Sequence, residues 1–206
     1  MLEVEDLGCV RAGRPVFAGL SFSLGAGQVV TLVGPNGSGK SSLLRILAGL
    51  LPPTLGRVTC RTDEDLAPRL HYLGHRDALK PLLSVAEDLR FWQRYWRGPA
   101  AAPRDAMAAY ELSGLADRPC RLLSAGQRRR LALARLLLAQ APLWLLDEPT
   151  VGLDAASVGL FGRALADHRR RGGAAVVATH LALPATEGAQ VLDLRAYAVE
   201  PDEAVA

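Results

Sequence analysis

The sequence predicts an α/β fold with a mostly parallel central sheet that helices cover on both faces. Three short apolar runs have the length of buried strands: VVTLV at 29–33, LWLLD at 143–147 and AAVVAT at 174–179. Helical stretches separate these runs, and strands that alternate with helices are typical of a parallel sheet. With 206 residues, of which 50% are hydrophobic, the chain is large enough for one such domain and short for two.

The predicted helices are bounded by capping residues and by helix breakers. Four stretches have helical character: residues 42–51, 84–96, 104–115, and from about 155 to the glycines at 172 and 173. Ser84 and Glu87 have the spacing of a capping box, which supports a helix start at that point. The Pro- and Ala-rich stretch GPAAAPR is expected to be a loop between the second and third helices.

Charge and hydropathy argue against several classes of protein. The net charge of +3 is only mildly basic, and the arginine clusters at 128–130 and 169–171 lack interleaved aromatic residues, so we expect solvated helix faces and no nucleic-acid site. The three cysteines are far apart and form no C-x-x-C pair, which fits a reducing cytosol. The first residues, MLEVEDL, lack a basic region and an apolar core, and no 18 consecutive residues are apolar, so we expect neither a signal peptide nor a membrane span. Any membrane role is expected to come through a partner.

The loop after the first apolar strand has the phosphate-binding pattern G-x-x-x-x-G-K-[ST]. Its residues are Gly34, Pro35, Asn36, Gly37, Ser38, Gly39, Lys40 and Ser41, with Ser42 beside them. Backbone N–H groups and the following helix N-terminus can surround phosphate oxygens, while Lys40 reaches the β and γ phosphates and Ser41 faces Mg²⁺. This pattern would arise by chance in a chain of this length on the order of once in a hundred, so we predict a nucleotide site.

Two acidic residues end the LWLLD strand, at the carboxyl edge where ligands of parallel sheets bind. Asp147 is placed to hold Mg²⁺ through water, and Glu148 to orient and polarise an attacking water. His180 follows the next buried strand and is expected at the same edge, within reach of a γ-phosphate. Asp-Glu-Pro could be a simple turn and a lone histidine is usually structural, but the phosphate loop upstream favours phosphoryl transfer.

The segment LSAGQ at 123–127 predicts an exposed helix N-terminus. Ser124 is a good N-cap, and Gln127 three residues later completes a capping box. Such an end binds anions, yet the phosphates of this chain's own nucleotide already lie on another helix. The site is therefore best explained as serving a nucleotide held by another copy, and the small residues Ala125 and Gly126 let that phosphate approach. Two chains head to tail would then complete two sites.

Five motifs together resemble ATP-binding cassette (ABC) ATPases, in order and in approximate spacing: the phosphate loop, LSAGQ, LWLLDEP, the VGLD turn that ends at Asp154, and ATH that ends at His180. The resemblance covers essentially the whole chain and implies a single nucleotide-binding domain over residues 1–206. It implies a P-loop NTPase fold of the cassette type. In that fold, an antiparallel β lobe and a small helical lobe, here at about 77–123, accompany the mostly parallel core sheet.

The resemblance also implies an ATPase coupled to transport, with ATP and Mg²⁺ bound and with Lys40, Glu148 and His180 in catalysis. Ser124 and Gly126 would contact the γ-phosphate held by the other copy in an ATP-dependent head-to-tail homodimer, and Asp154 would shape the dimer seam. The helical lobe resembles the part that docks on integral membrane transporter subunits. This implies peripheral attachment at the cytoplasmic face of the bacterial inner membrane.

Within ABC ATPases, the chain is similar to the ATP-binding subunits of the haem exporter of bacterial cytochrome c maturation. The likeness lies in the short length, in LSAGQxRR and PLWLLDEP, and in LGH where other cassettes read Pro-Gln or Phe-Gln. It implies partner membrane subunits and a haem chaperone whose release is driven by ATP hydrolysis. An exporter subunit for another substrate is the alternative, because contacts with the cargo belong to the membrane subunits.

Two further classes are disfavoured. A cassette that acts on nucleic acid or ribosomes would normally show a second cassette or a long heptad insertion, which this sequence lacks. A purely structural cassette would have lost Lys40 or Glu148, and both are present.

Two positions depart from the family pattern. Arg11 stands where cassettes commonly place an aromatic that stacks on adenine; a guanidinium plane can stack too, and Phe17 or Val10 are alternatives. His75 stands where a glutamine usually links Mg²⁺ to the docking groove. Because imidazole is a poor Mg²⁺ ligand, we expect His75 to bridge through water. A metal pair of His71 and His75 is disfavoured, since both lie on a predicted strand without a third ligand.

Overall fold

The computed structural model describes residues 2–60, 70–138, 141–180 and 183–199. The strands of this part of the chain are β1 (Leu2–Arg11), β2 (Arg14–Leu24), β3 (Val29–Val33), β4 (Leu55–Cys60), β5 (Leu70–Leu73), β6 (Leu143–Asp147), β7 (Ala174–Ala178) and β8 (Gln190–Asp193). The α-helices are α1 (Lys40–Leu47), α2 (Val85–Tyr95), α3 (Ala102–Ala109), α4 (Ala125–Ala134) and α5 (Ala155–Arg170). Short 3₁₀ helices occupy Ser113–Leu115, Cys120–Leu122, Arg135–Leu137 and Leu194–Tyr197.

The central sheet has the strand order β5-β6-β7-β3-β8, and each neighbouring pair is parallel. This confirms the predicted core sheet. Strand β7 lies between β3 and β6, with Ala178 opposite both Leu32 and Asp147. The segments that follow these three strands therefore leave the sheet side by side at one edge.

The second sheet is antiparallel, with the order β2-β1-β4, and it confirms the predicted β lobe. A two-residue turn at Ala12 and Gly13, both with positive φ, joins β1 to β2. This turn geometry matches the twist of the two strands that it connects. The β lobe packs with α1 over one face of the central sheet.

Alternate residues of the central strands enter two different cores, as the period of two in a strand requires. In β6, Leu143 and Leu145 belong to the core that also contains β1, β2 and α1. Trp144 and Leu146 belong to the core built with α2, α3, α4 and α5. The sheet thus separates the β lobe from the helices, and each face of β6 is covered.

The helical region agrees with the sequence at α2 and differs at α3. Ser84 and Glu87 form the predicted capping box at the start of α2. The prediction of a helix from Arg104 to Leu115 is wrong at both ends, because α3 spans Ala102–Ala109. A proline in the first turn favours the earlier start, and Glu111, at φ 54, reverses the chain after the helix.

Over the part of the chain that the structure describes, no helix is both long and apolar enough to cross a membrane.

Candidate nucleotide site

The phosphate loop connects β3 to α1 and depends on glycines that no other residue could replace without strain. Gly34 has φ 140, and a Cβ there would lie 2.7 Å from Ser38 Oγ. Gly39 has φ 98, and a Cβ there would lie 2.7 Å from Val16 Cγ1. The loop therefore lies close against β2 as it turns into the helix, which a larger side chain would prevent.

The donors of this loop fit a phosphate group. Gly39 is the N-cap of α1 and makes no side-chain capping bond, which leaves the N–H groups of the first turn open to an anion. The Ser38 hydroxyl is buried and has no hydrogen-bond partner. Buried polar atoms normally have a partner, so this orphaned hydroxyl indicates that the loop is built around a polar ligand.

Lys40 is the first residue of α1 and is only 8% exposed. Its Nζ donates hydrogen bonds to the carbonyl oxygens of Gly34, at 2.7 Å, and Pro35, at 3.0 Å. The ammonium group thus lies against the loop that the nucleotide would occupy. Ser41 follows it and is half-buried, whereas the Ser42 hydroxyl hydrogen-bonds with the Cys9 thiol.

The structure brings Asp147, Glu148 and His180 together at the carboxyl edge of the sheet. Asp147 ends β6 and is 3% exposed. The backbone N–H of Glu148 donates to Ala178 O at 2.9 Å, which ties the residue to β7. Glu148 Oε1 lies 3.3 Å from His180 Nε2, and its side chain is 13% exposed against 48% for the histidine. A shielded carboxylate beside a more open imidazole can polarise a water while the imidazole reaches a phosphate.

The predicted capping box at the start of α4 is confirmed. The Ser124 backbone N–H donates to Gln127 Oε1 at 2.9 Å, and the Gln127 backbone N–H donates to Ser124 Oγ at 3.2 Å. Ser124 and Ala125 are exposed. At Gly126, a Cβ would lie 3.5 Å from Gly152 O, so this helix end packs beside the VGLD turn.

Asp154 ends that turn and is the N-cap of α5. Its Oδ1 accepts a hydrogen bond from the Ser157 backbone N–H at 2.8 Å. Hydrogen bonds from the Ser157 hydroxyl and backbone N–H hold the pKa of the Asp154 carboxyl below its usual range. The residue therefore starts a helix of its own chain, a task separate from any contact across a dimer seam.

The family of the chain follows from comparison with known proteins. The family model for ABC transporters matches residues 17–151. The chain belongs to the ABC transporter family. The resemblance drawn from the five motifs is thereby confirmed, with the phosphate loop, the LSAGQ helix and the LWLLDEP strand all inside the matched region.

Curated relatives of this ABC ATPase match over nearly the full chain. The cytochrome c biogenesis ATP-binding export protein CcmA of Paramagnetospirillum magneticum is 52% identical and covers 95% of this chain and 94% of its own. The protein of the same name from Rhodospirillum rubrum is 50% identical over 97% of this chain and 88% of its own. That of Brucella abortus is 44% identical over 97% of this chain and 98% of its own.

Solved structures show the same fold. An ABC transporter ATP-binding protein from Pyrococcus furiosus superposes with a TM-score of 0.84 at 24% identity, over 96% of this chain and 99% of the other. A dimeric ATP-binding cassette in a post-hydrolysis state, bound to ADP and phosphate, superposes with a TM-score of 0.75 at 25% identity, over 88% of each chain. The predicted cassette fold is thereby confirmed.

The structure narrows the candidates for the adenine contact in this ABC ATPase. Phe17 is 1% exposed and packs beneath the phosphate loop next to Gly39, so its ring is closed to a base. Arg11 is exposed at the end of β1, and Val10 is 43% exposed. Arg11 and Val10 therefore remain the two candidates for the adenine contact.

The two histidines of the LHYLGH stretch have different surroundings. His71 lies in β5, and its ring packs against that of Trp96 in a tilted arrangement with the centroids 4.3 Å apart. Burial lowers the pKa of His71 to about 4, so the ring is neutral at physiological pH. His75 is exposed and lies beyond the strand, which ends at Leu73; the prediction that both histidines share the strand is therefore wrong.

Replacing His75 with Gln is expected to preserve most ATPase activity, because an amide also offers one acceptor and a donor for a bridging water. Replacing it with Ala is expected to weaken stimulation by the membrane partner more than basal hydrolysis or nucleotide affinity. Basal rate, stimulated rate and melting temperature are compared for both variants. A His75→Ala protein with unchanged fold-stimulation and a lowered melting temperature would show that His75 only packs.

Sequence reasoning missed Arg129. The expectation that arginines 128–130 form a solvated face is wrong at this residue, which is 4% exposed. The available signal was helical spacing, because Arg129 shares the buried face of α4 with Ala132 and Leu133, three and four residues later. Its partners lie in distant segments and could not be inferred from the pattern.

Proposed function

We propose that the chain is the ATP-hydrolysing subunit of a membrane ABC complex in cytochrome c biogenesis, where it drives haem export or the release of a haem chaperone. ATP hydrolysis coupled to transport follows from membership of the ABC transporter family. The cytochrome c role is supported by 44% to 52% identity with cytochrome c biogenesis ATP-binding export proteins. The observation that carries the chemistry is the convergence of Lys40, Glu148 and His180 at one sheet edge.

The geometry supports the following division of roles. The phosphate loop holds the nucleotide phosphates, and the Ser38 hydroxyl gains the partner that it lacks. Lys40 exchanges its two carbonyl contacts for phosphate oxygens and neutralises charge that develops in transfer. Glu148 orients the attacking water, and His180, 3.3 Å from its carboxylate, contacts the γ-phosphate.

A magnesium ion fits the oxygen-rich donors of this site. Ser41 in the first turn of α1 and Asp147 at the end of β6 would hold it, the carboxylate through water. When bound, Mg²⁺ supplies charge neutralisation to the phosphates.

A second copy of the chain would complete the site. The N-terminus of α4 is exposed, and Ser124, Gly126 and Gln127 form a small, capped anion site there. A head-to-tail homodimer places this end against the γ-phosphate bound by the other copy. The likeness to a dimeric cassette bound to ADP and phosphate supports this arrangement.

The helical region offers an apolar surface for membrane subunits. Leu82 is 82% exposed, Tyr95 69% and Phe91 41%. Leu83, Phe91 and Tyr95 also line a cavity of about 520 Å³ beside Arg90 and Arg94. Exposed apolar patches of this kind mark interaction sites, and a membrane subunit docked here would hold the protein at the cytoplasmic face of the inner membrane.

A strain that carries only Lys40→Ala is expected to lose mature c-type cytochromes while haem-loaded chaperone accumulates. Haem staining of membrane proteins measures the loss, and immunoblotting shows that the variant is made in normal amounts. Arg45→Ala is the matched control, since this exposed basic residue lies in the last turn of the same helix. Normal cytochromes in the Lys40→Ala strain would contradict the cytochrome c role and leave the ATPase assignment intact.

A further inference from the structure

The guanidinium of Arg129 joins two segments that are far apart in the sequence, residues 147–149 and residues 74–77. Its Nη2 donates to the carbonyls of Asp147 at 2.9 Å and Glu148 at 2.7 Å, its Nε donates to that of Pro149 at 3.0 Å, and its Nη1 donates to Gly74 O at 3.3 Å and Asp77 Oδ1 at 2.9 Å. The side chain is 5% exposed and that of Asp77 is 24% exposed. These are charge-assisted bonds in a shielded setting, where such bonds are strong.

Three successive carbonyl groups cannot point at one cation from a regular strand, because carbonyl directions alternate along it. The chain achieves this by leaving β6 and turning at Glu148, which has φ 49. A non-glycine residue in this region carries a steric cost. The fork of Arg129 offsets that cost and, by fixing both ends of the turn, sets the direction in which the Glu148 side chain leaves the backbone.

The same arginine belongs to α4, the helix that begins at Ser124. Ser124, at the anion site that would face the second copy, is therefore only about one and a half helical turns from Arg129. Arg129 in turn holds residues 147–149, the catalytic turn, through their carbonyl groups. The contacts to Gly74 and Asp77 bring in the segment that contains His75. A displacement of α4 when the second copy binds would therefore move the backbone at Glu148, to which Arg129 is bonded.

A second arginine fastens the same segment from farther along the chain. Arg135 makes a buried bidentate ion pair with Asp88 of α2, at 2.8 and 2.9 Å to Oδ2. Its guanidinium also donates to Asp77 O at 3.0 Å and to Ala78 O at 3.3 Å. Both arginines hold the segment that contains Asp77, but of the two only Arg129 also bonds with the catalytic turn, residues 147–149.

We infer that Arg129 is a positioning residue for hydrolysis: it holds the Glu148 turn in its working conformation and links it to the partner-facing helix. The inference rests on the proposed ATPase function. Nucleotide binding uses the phosphate loop, and none of the hydrogen bonds that Arg129 makes with described residues goes to that loop. Loss of the guanidinium fork should therefore lower kcat and leave nucleotide affinity unchanged.

The test compares Arg129→Gln, Arg129→Lys and Arg130→Gln in the full chain, alone and in the complex isolated from membranes. Arg130 is the matched control, since it is the next residue of the same helix and contacts Tyr110 O at 3.2 Å and Glu111 at 3.5 Å. We expect kcat of Arg129→Gln to fall about tenfold or more, with KM for MgATP and equilibrium affinity for a non-hydrolysable ATP analogue within about twofold. Lysine keeps the charge but not the fork, so Arg129→Lys should be intermediate.

Folding and function are separated within this experiment. Rates are expressed per folded molecule and measured well below the melting temperature of each variant. If Arg129→Gln fails to fold, the comparison is made with Arg129→Lys alone. Unchanged kcat per folded molecule in either folded Arg129 variant would overturn the inference, as would an equal loss in Arg130→Gln. A wild-type protein without ATPase activity, or an undiminished rate in Glu148→Gln, would instead contradict the proposed function.

Discussion

Replacing Glu148 with Gln is expected to stop ATP hydrolysis and to hold two copies of the chain together when MgATP is present. An amide keeps the shape of the side chain beside His180, but it cannot polarise water as a carboxylate does. Loss of a general base typically lowers the rate by about a hundredfold or more. Binding groups such as Lys40 and Ser124 are untouched, so the nucleotide-bound dimer forms and persists.

Light scattering at tens of micromolar protein measures this dimer, and phosphate release measures hydrolysis. Glu3→Gln is the control, because it makes the same chemical change at an exposed position in the β lobe. The wild-type chain should be monomeric or only weakly self-associating without nucleotide. A Glu148→Gln protein that binds MgATP and stays monomeric would contradict the head-to-tail arrangement.

Replacing Ser124 with Asp is expected to abolish both dimerisation and hydrolysis while the nucleotide still binds. Aspartate is as good an N-cap as serine, so α4 should remain intact. Its charge, however, would face the γ-phosphate held by the other copy, and like charges in contact cost several kcal/mol, which corresponds to a rate loss of about a hundredfold or more. Ser124→Asn is the matched control, because asparagine also caps the helix and carries no charge.

Measuring hydrolysis by a mixture of two variants tests whether the Ser124 helix end of one copy works with the phosphate loop of the other. Ser124→Asp and Lys40→Ala proteins are each inactive as homodimers, since either change disables both sites. A mixed head-to-tail dimer has one site with an intact phosphate loop and an intact Ser124, so mixing should restore part of the activity. If the mixture stays inactive while Ser124→Asp alone equals Ser124→Asn in rate, the partner-facing role of Ser124 is wrong.

The sequence was sufficient wherever a local rule determines the structure. Apolar strands that end in Asp147 and just before His180 were predicted because a buried parallel strand requires little more than its composition and its ends. The capping boxes at Ser84 and Ser124 were predicted because both partners lie three residues apart. Such features depend on contacts within a few residues.

What the sequence could not predict depends on distant contacts. Arg129 bonds with carbonyl groups 18 to 55 residues away, and a carbonyl carries no side-chain signature in the sequence. Phe17 was a candidate for the adenine contact, and only tertiary packing shows that its ring is buried. The end of α3 was missed because the reversal at Glu111 places a non-glycine residue at φ 54, which propensity does not anticipate.

The strand order has a consequence for how this protein folds during its synthesis on the ribosome. Strand β3, which leads into the phosphate loop, hydrogen-bonds with β7 and β8. It can therefore join the central sheet only after residues 174–193 have been synthesised. Until that last part of the chain emerges, both edges of β3 lack their native neighbours and can pair with other nascent chains. Nucleotide can therefore stabilise the nascent protein only after residues 174–193 have been synthesised, and a chain that stops before them would leave both edges of β3 unpaired.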